Sequence, residues 1–459
     1  MADYDLIVVG GGPAGYVGAI RAGQMGKKVA CVEMDRAGGT CLNWGCIPTK
    51  SLLKNAEVYQ LMSHHAADFG IKIEGLSYEW DKVIGRSRKV ADRLAGGIEM
   101  LFKKNKVDYI RGSASISKAG TIEVTDKDGK VSEYRGTKIL IATGVVAREL
   151  PGFPFNGKSV ISSKQALVLA EQPKDIVIIG AGAIGVEFAY FFNSFGTKVT
   201  LVEMLPNILP IEDTEVSIAL EKSLAKQGIR ILAGTKVEKA EVTNKGVRLA
   251  LGGKTNETIE AAIALVSIGV SPLMPHGIQL ETDAKGWLKT GENYETSTRG
   301  IYGAGDIIGP PWLAHVASFE AVQAVEGMFA GKRPRKVAVF PGCTYCQPQV
   351  ASVGLTERAA REKGLAFRIG KFPFMANGKA LAVGESEGFV KLLIGEKHGE
   401  ILGAHIIGAD ATEMIAELAL AITMEATCEE LISAIHAHPT LSEAIQEAAH
   451  ASQGHAIHI

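Results

Sequence analysis

The chain has 459 residues, of which 46% are hydrophobic, and this is enough for two to four domains with cores of their own. Its 49 basic and 50 acidic residues leave a formal net charge of -1, which argues against recognition of nucleic acid or anionic membranes through net charge. No apolar run reaches the ~18 residues of a membrane span, and the amino terminus leads almost directly into a strand pattern, so we expect a cytoplasmic protein without a membrane span.

A glycine-rich turn follows the first predicted strand, in the stretch DLIVVGGGPAGYVGAIRAGQMGKKVACVEM of residues 5–34. After the strand come G-x-G-x-x-G, a helix-length stretch, a second strand and an acid. The first glycine makes the tight turn, the second lets a pyrophosphate approach the backbone, and the third lets helix and strand pack closely. The acid can accept hydrogen bonds from a ribose, and so the pattern predicts a dinucleotide site. Its key residues are Gly10, Gly12, Gly15 and Glu33.

Two cysteines follow in GGTCLNWGCIPTK, residues 38–50, and could form a structural disulfide, a metal clip or a redox couple. Six cysteines in this length are typical of a reducing compartment, which favours redox or metal chemistry. The Cα atoms of Cys41 and Cys46 would lie ~8.7 Å apart on an ideal helix, whereas a disulfide needs less than ~7 Å. A bond therefore requires an irregular turn, which Gly45 permits. So short a loop gains little chain-entropy stabilisation, as expected of a redox switch.

The first pattern recurs 170 residues later, in DIVIIGAGAIGVEFAYFFNSFGTKVTLVEM of residues 175–204. Its glycines are Gly180, Gly182 and Gly185, and its acid is Glu203. A single G-x-G-x-x-G is weak evidence, but two copies in full strand–helix–strand context predict two dinucleotide sites. A flavin and a nicotinamide in one chain indicate electron transfer between them.

The segments ILIATG (139–144) and TSTRGIYGAGDI (296–307) flank the second copy. Each is a predicted strand that ends in small residues and a polar group, suited to close approach of a cofactor. The simplest organisation is a nicotinamide domain inserted into a flavin domain, with boundaries marked by LPGFPFNG and GVSPLMP. We expect an FAD-binding domain in residues 1–146 and 273–339, an NAD-binding domain in 147–272, and an interface domain in 340–459.

The interface domain begins with FPGCTYCQPQ, whose Cys343 and Cys346 have a CxxC spacing that zinc or a thioredoxin-like couple could use. The flanking sequence predicts a Pro/Gly turn and a strand rather than a zinc knuckle, and we expect no metal. Cys31 and Cys428 lie in an apolar strand and near a helical stretch, and we expect them in the core.

Near the carboxyl end, HAHPTLSEAIQEAAH carries a candidate base. Proline suits the first position of a helix, which predicts a helix that begins at Pro439 with His438 at or near its cap. Glu443 can orient this imidazole and stabilise the imidazolium that forms on proton uptake. The alternative is a solvated histidine on a surface helix, and the residues by themselves leave both open.

Together, GGTCLNWGCIPTK, the doubled G-x-G-x-x-G, GAGDI and HAHPTLSE resemble the pyridine nucleotide-disulfide oxidoreductases, over essentially the whole chain. The resemblance implies an α/β fold with two Rossmann-like domains, for FAD and NAD, and a C-terminal α+β dimerisation domain. Within the family, the chain is most similar to the enzymes that oxidise protein-bound dihydrolipoamide with NAD+. This implies tight, non-covalent FAD, a homodimer, and a lipoyl-bearing domain of an acyltransferase or glycine cleavage carrier protein as partner.

The resemblance also implies site residues, with the base supplied by the other subunit and a lysine–glutamate ion pair beside the flavin. The expected catalytic residues are Cys41, Cys46, His438, Glu443, Lys50 and Glu187. The expected FAD contacts are Gly10, Gly12, Pro13, Ala14, Gly15, Glu33, Gly39, Thr40, Cys41, Cys46, Lys50, Ala142, Thr143, Gly144, Gly305, Asp306, Leu313, Ala314 and His315. The expected NAD contacts are Gly180, Gly182, Ala183, Ile184, Gly185, Glu187, Glu203 and Gly269.

Glu203 favours NAD+ over NADP+, because a carboxylate accepts from the ribose 2′-hydroxyl and repels a 2′-phosphate. It therefore argues against a glutathione reductase. The ending ASQGHAIHI argues against a mercuric reductase, and the cysteine pair argues against a transhydrogenase. A flavin-binding subunit without turnover is the alternative from another class. One departure concerns the nicotinamide contacts, because GVSPLMP (269–275) stands where the family commonly has G-R-x-P-N.

Overall fold

The structure is a computed structural model that describes residues 3–335 and 337–459. The chain forms two compact units. Unit 1 holds the described residues up to Ser51, those of Lys82–Arg148, and those of Gly269–Ala338. Unit 2 holds Leu52–Asp81, Glu149–Ile268 and Val339–Ile459. The four-part division expected from the sequence stays a prediction.

Strands and helices are numbered here in chain order. The strands are β1 (Tyr4–Val9), β2 (Val29–Glu33), β3 (Val107–Arg111), β4 (Ser113–Lys118), β5 (Thr121–Thr125), β6 (Val131–Ile141), β7 (Val145–Ala147), β8 (Val160–Ile161), β9 (Asp175–Ile179), β10 (Lys198–Glu203), β11 (Arg230–Ala233), β12 (Thr235–Thr243), β13 (Gly246–Gly253), β14 (Glu257–Ala261), β15 (Ile263–Val266), β16 (Val270–Pro272), β17 (His276–Gly277), β18 (Ile301–Gly303), β19 (Gly342–Thr344), β20 (Gln349–Gly354), β21 (Phe367–Pro373), β22 (Phe389–Gly395) and β23 (Ile401–Gly408). The α-helices are α1 (Pro13–Gln24), α2 (Gly39–Trp44), α3 (Cys46–Gln60), α4 (Trp80–Lys104), α5 (Ser163–Ala166), α6 (Ala183–Ser194), α7 (Thr214–Lys226), α8 (Ala314–Ala330), α9 (Glu357–Glu362), α10 (Gly378–Val383), α11 (Ala411–Thr423), α12 (Cys428–Ser433) and α13 (Glu443–Ser452).

Unit 1 is built on parallel strands in the order β18–β6–β1–β2–β3, and β6 also pairs with the antiparallel β5. The sheet is covered on both faces, which explains why β1 and β2 are almost continuously apolar. Leu6 and Val8 pack with α1 and α8, whereas Ile7 and Val9 face a second cluster. Since the strands run parallel and in register, the carboxyl ends of β1, β6 and β18 meet at one edge.

Unit 2 contains a second parallel sheet, in the order β11–β10–β9–β15–β8. The antiparallel sheet β12–β13–β14 shares a buried cluster with it. The last part of the chain forms the antiparallel sheet β19–β20–β23–β22–β21, packed with α11 and α13. The apolar stretches GFVKLLIG and EILGAHIIG contain β22 and β23. The expected α/β class with two Rossmann-like sheets is confirmed. None of the helices within the described ranges has the length and hydropathy that crossing a bilayer requires.

The last sheet contains a buried lysine that the apolar pattern of its strand did not indicate. All seven residues of β22 are buried, including Lys391, whose Nζ lies 2.9 Å from Asp213 Oδ1 and 2.8 Å from Glu357 Oε2. Glu215 lies 3.4 Å from the same nitrogen. Burial favours the neutral amine, but these carboxylates raise the pKa of Lys391 overall. The four residues join α7, α9 and β22 in the buried charge cluster, named for its buried members Lys391 and Asp213; Glu215 and Glu357 are partly exposed.

Candidate active site

The first glycine turn connects β1 to α1 and packs tightly on the neighbouring strand. A Cβ added at Gly10 would lie 2.3 Å from the Ala142 carbonyl oxygen, and one at Gly15 would lie 1.8 Å from the Gly10 oxygen. Neither position can hold a side chain without moving the backbone. At Gly12, an added Cβ would meet only Gly39 Cα of the described chain, at 3.9 Å. This open space lies at the start of α1, where backbone N–H groups and the helix dipole favour a phosphate.

Further predicted FAD contacts gather at the ends of β6 and β18. Thr143 Oγ1 is buried and has no hydrogen-bond partner among the described residues. The N–H of Gly305, whose φ is +78°, donates to Glu320 Oε2 at 2.8 Å. Burial raises the pKa of Asp306 to about 6. Burial is also the largest cause of the raised pKa of Glu320, which is about 7. An unpartnered hydroxyl and buried carboxyls beside an open glycine turn fit FAD. The other expected FAD contacts also lie in unit 1: Pro13, Ala14, Thr40, Gly144, Leu313, Ala314 and His315.

The second glycine turn repeats the geometry of the first, between β9 and α6. A Cβ added at Gly185 would lie 1.9 Å from the Gly180 oxygen, and one at Gly180 would lie 2.6 Å from the Ser267 oxygen. At Gly182 nothing in the described chain lies within 4 Å of an added Cβ. The helix opens with Ala183 and Ile184, and the Ile184 side chain is 46% exposed. The loop therefore leaves the room that a second pyrophosphate needs.

The two acids predicted to bind ribose have a further role. Glu33 Oε2 accepts from the Gly11 N–H at 2.7 Å, and Glu203 Oε2 accepts from the Ala181 N–H at 2.7 Å. The second oxygen of each accepts from the amide two residues further on, at 2.7 and 2.8 Å. Both acids thus hold their own glycine turns in place, which sequence spacing did not reveal. Each carboxylate oxygen still has a lone pair for a ribose hydroxyl.

The two cysteines lie on either side of a helix break, with Cys41 on α2 and Cys46 at the start of α3. The irregular turn predicted at Gly45 is confirmed. The thiols are not joined in a disulfide, and their side chains share a hydrogen bond. This bond, and then burial, raises the pKa of Cys41, while Lys50 acts in the opposite direction. Tyr16 was not predicted as a site residue; burial, and then the electrostatic influence of Cys41 and Cys46, raises the pKa of its phenol.

Glu187, expected to pair with Lys50, is buried on α6. Its Oε1 accepts from the Tyr345 backbone N–H at 2.9 Å, a contact that the sequence did not predict. Lys50 belongs to unit 1 and Glu187 to unit 2, and their ion pair stays a prediction. Gly269, expected among the NAD contacts, lies in unit 1 with φ +109° and an open Cβ position.

The candidate base lies in a turn and not at a helix start. Helix α13 begins at Glu443, so the helix start predicted at Pro439 is wrong. Proline also suits a turn, and residues 439–442 form a non-helical turn in which Glu443 Oε2 accepts from the Thr440 N–H at 2.7 Å. Glu443 Oε1 lies 2.9 Å from His438 Nδ1, the contact expected between them. The carboxylate therefore fixes both the turn and the imidazole, whose side chain is 80% exposed.

The remaining cysteines show no site of their own. Cys343 lies on β19, and the buried Cys346 Sγ donates to the Pro348 carbonyl oxygen at 3.2 Å. Over the described ranges, no group of three or more His, Cys, Asp or Glu side chains could hold a metal. Cys31 and Cys428 are buried, as predicted.

The model of the pyridine nucleotide-disulphide oxidoreductases matches residues 4–321, and that of their dimerisation domain matches residues 340–449. Dihydrolipoyl dehydrogenase from Chlorobaculum parvum is 43% identical over 98% of this chain and 97% of its own. Dihydrolipoyl dehydrogenase from Zymomonas mobilis is 44% identical over 100% of both. A crystal structure of LpdA from Mycobacterium tuberculosis has a TM-score of 0.88 and 27% identity, covering 97% of this chain and 98% of that one. The chain therefore belongs to the pyridine nucleotide-disulphide oxidoreductase family and is an oxidoreductase with a dimerisation domain.

Proposed function

We propose that the protein is a dihydrolipoyl dehydrogenase, which oxidises protein-bound dihydrolipoamide to lipoamide with NAD+ as acceptor. The observation that carries this proposal is the pair Cys41–Cys46, which lies on either side of the helix break at Gly45, in the unit that contains the first glycine turn. A dithiol substrate exchanges with such a pair through a mixed disulfide. Full-length relatives named dihydrolipoyl dehydrogenase, at 43% and 44% identity, support the same substrate.

The two glycine turns supply the cofactor sites in this proposal. FAD would be held by the first turn with Glu33, Thr143 and Asp306, and NAD+ by the second turn with Glu203. When bound, FAD would supply two-electron redox chemistry between the cysteine pair and NAD+, the hydride acceptor. The protein supplies placement: helix starts for the pyrophosphates and carboxylates for the riboses.

Side chains of the protein carry out the proton transfer and the thiol–disulfide exchange. His438 directs Nδ1 toward the Glu443 carboxylate, which leaves Nε2 to take a proton from the substrate thiol. The resulting thiolate attacks Cys41 Sγ of the oxidised pair, the S–S bond breaks, and Cys46 leaves as thiolate. The second substrate thiol then displaces Cys41 and releases lipoamide. This leaves Cys41 and Cys46 as the dithiol.

A homodimer would place the base of one chain at the cysteines of its partner. The dimerisation model covers the part of the chain that holds His438. This part carries large apolar side chains that are mostly exposed in the single chain. They are Met375 (69%), Leu381 (60%), Leu420 (64%), Met424 (71%) and Ile435 (99%). We further propose a lipoyl-bearing carrier domain as the partner and the cytoplasm as the location.

The test is to mix the flavin-containing protein with dihydrolipoamide and NAD+ and to follow NADH absorbance. We expect NADH formation, none with glutathione and NADP+, and faster turnover with a lipoylated carrier domain than with free dihydrolipoamide. Cys46→Ser should abolish NADH formation but retain NADH-dependent reduction of ferricyanide, which needs no cysteine. Absence of NADH formation in the wild type, or full activity in Cys46→Ser, would refute the proposal.

A further inference from the structure

The two sulfurs are carried by separate helices that need support from elsewhere. Helix α2 has only six residues, and Gly45 leaves the helical path with φ -148° and ψ -112°. The last carbonyl oxygens of α2 therefore lack the N–H partners that a continuing helix would supply. On the other side, the Thr49 N–H and hydroxyl both donate to the Gly45 carbonyl oxygen, at 3.1 and 2.7 Å. The spacing of the cysteines thus depends on what holds α2 and α3.

Arg88, in the middle of α4, holds the end of α2. Its Nη2 donates to the carbonyl oxygen of Asn43, one of the oxygens left without a helical partner. Its guanidinium carbon lies 4.7 Å from the ring centroid of Trp44, a cation–π arrangement. The indole Nε1–H of Trp44 donates to Asp35 Oδ2 at 2.7 Å. The last two residues of α2 are therefore fixed by a charge-assisted hydrogen bond, a stacked cation and an indole hydrogen bond.

Arg86, two residues earlier on α4, holds α3. Its Nη1 donates to the Ser51 carbonyl oxygen at 3.1 Å and to Ser51 Oγ at 2.8 Å. Ser51 is buried and lies in the same helix as Cys46. Both helices that carry a sulfur are thus attached to one long helix, α4, through neighbouring arginines.

We propose that Arg86 and Arg88, together the arginine clamp, are positioning residues that set the dithiol–disulfide equilibrium of Cys41 and Cys46. The inference deepens the proposed function and rests on it for its role in turnover. Closing the disulfide removes two S–H protons and two electrons and brings the sulfurs to ~2.05 Å. A clamp that holds α2 and α3 together keeps the second sulfur at high effective concentration, which favours the closed form. Weakening it should make the pair harder to oxidise.

The test uses the complete, flavin-containing protein and dithiothreitol as the probe. In the exchange, the reduced pair and oxidised dithiothreitol become the cysteine disulfide and reduced dithiothreitol, so that thiols and electrons balance. Samples equilibrated at several ratios are quenched in acid, and the fraction of free Cys41 and Cys46 is measured by alkylation and mass spectrometry. Arg88→Gln should lower the equilibrium constant for disulfide formation about tenfold, which corresponds to a midpoint potential ~30 mV higher. Arg86→Gln should act in the same direction.

Two variants separate positioning from general damage. Arg93→Gln changes an exposed arginine on the same helix and should leave the equilibrium unchanged. Arg88→Lys keeps the charge but loses the planar fork and the stacking, and should lie between wild type and Arg88→Gln. If Arg88→Gln does not fold, Arg86→Gln, whose side chain is exposed, answers the question alone.

Equilibrium constants within twofold of the wild type for Arg86→Gln and for any folded Arg88→Gln would overturn the inference. This failure is distinct from failure of the proposed function. A protein that shows the clamp effect with dithiothreitol but forms no NADH from dihydrolipoamide would retain the clamp and lose the assigned substrate. A protein that forms NADH but shows no clamp effect would keep the proposed function and refute the role of the arginine clamp.

Discussion

Replacing Glu443 by glutamine tests the base, because the two carboxylate oxygens have different partners. Oε1 faces His438 Nδ1 at 2.9 Å, and Oε2 accepts from the Thr440 N–H at 2.7 Å. Glutamine has a single acceptor oxygen. If this oxygen faces Thr440, the amide NH₂ meets Nδ1, and the proton must move to Nε2, where it blocks base catalysis. If it faces His438, two N–H donors oppose each other at Thr440.

The size of the effect follows from these two arrangements. The competent arrangement leaves a backbone N–H unpaired, which costs about 1–3 kcal/mol. The variant also loses the attraction between carboxylate and imidazolium, about 1.4 kcal/mol at 2.9 Å in a water-like dielectric. This is the smallest value that applies, because the His438 side chain is 80% exposed in the single chain and the proposed dimer would cover it. Together these terms predict a fall in kcat/KM for dihydrolipoamide of about 50- to 2000-fold.

The assay is anaerobic reduction of the protein by dihydrolipoamide in a stopped-flow spectrophotometer, with NADH–ferricyanide activity as the check on folding. Glu447→Gln is the matched control, because Glu447 lies one turn further along α13 and binds His458 Nδ1 at 2.8 Å. The control should keep wild-type rates. A loss below fivefold in Glu443→Gln, or an equal loss in Glu447→Gln, would refute the reasoning.

The other predictions concern the glycine turns, the ribose acids and the buried charge cluster. Gly12→Ala should fold but bind flavin weakly, whereas Gly15→Ala, whose Cβ would lie 1.8 Å from a backbone oxygen, should fold poorly; flavin absorbance and circular dichroism distinguish them, and equal behaviour would contradict the geometry. Glu203→Ala should raise KM for NAD+ and lower Tm more than Glu203→Gln, because each buried amide left unpaired costs about 1–3 kcal/mol; equal Tm values would exclude the bracing role. Burial alone would raise the pKa of Asp213, but the hydrogen bond to Lys391 lowers it overall. Its contribution to stability is therefore complete above the unfolded pKa of about 4 and is lost as pH falls further, which urea unfolding between pH 7 and pH 3 measures. Lys391→Met should lower the free energy of unfolding by about 3–5 kcal/mol at pH 7. An unchanged free energy of unfolding would show that the cluster is not stabilising.

The features that could be predicted from sequence are those that local backbone geometry dictates. Gly10 and Gly15 are required because a carbonyl oxygen occupies the space of a Cβ, and the same constraint returns 170 residues later at Gly180 and Gly185. The break between the cysteines follows from their spacing and from Gly45. Such constraints act over a few residues, and so they can be recognised from the spacing of residues in the sequence.

The features that could not be predicted depend on side chains that meet from distant parts of the chain. Lys391 looks like a single polar letter in an apolar strand until Asp213 is placed beside it. Arg88 looks like an ordinary charge on a long amphipathic helix, since nothing near it in sequence indicates Asn43. The start of α13 could not be predicted from Pro439, because proline suits a turn as well as the first position of a helix. Single-sequence patterns carry no information on such pairings.

The buried charge cluster has a consequence for dissecting the molecule into fragments. The first family model ends at residue 321 and the second begins at residue 340. Lys391, in the region of the second model, forms ion pairs with Asp213 and Glu215 in the region of the first. A fragment of residues 340–459 would keep only Glu357 for this cation and would have to bury or hydrate the remaining charge. The dimerisation region is therefore expected to fold together with the nucleotide-binding part and not as an independent domain.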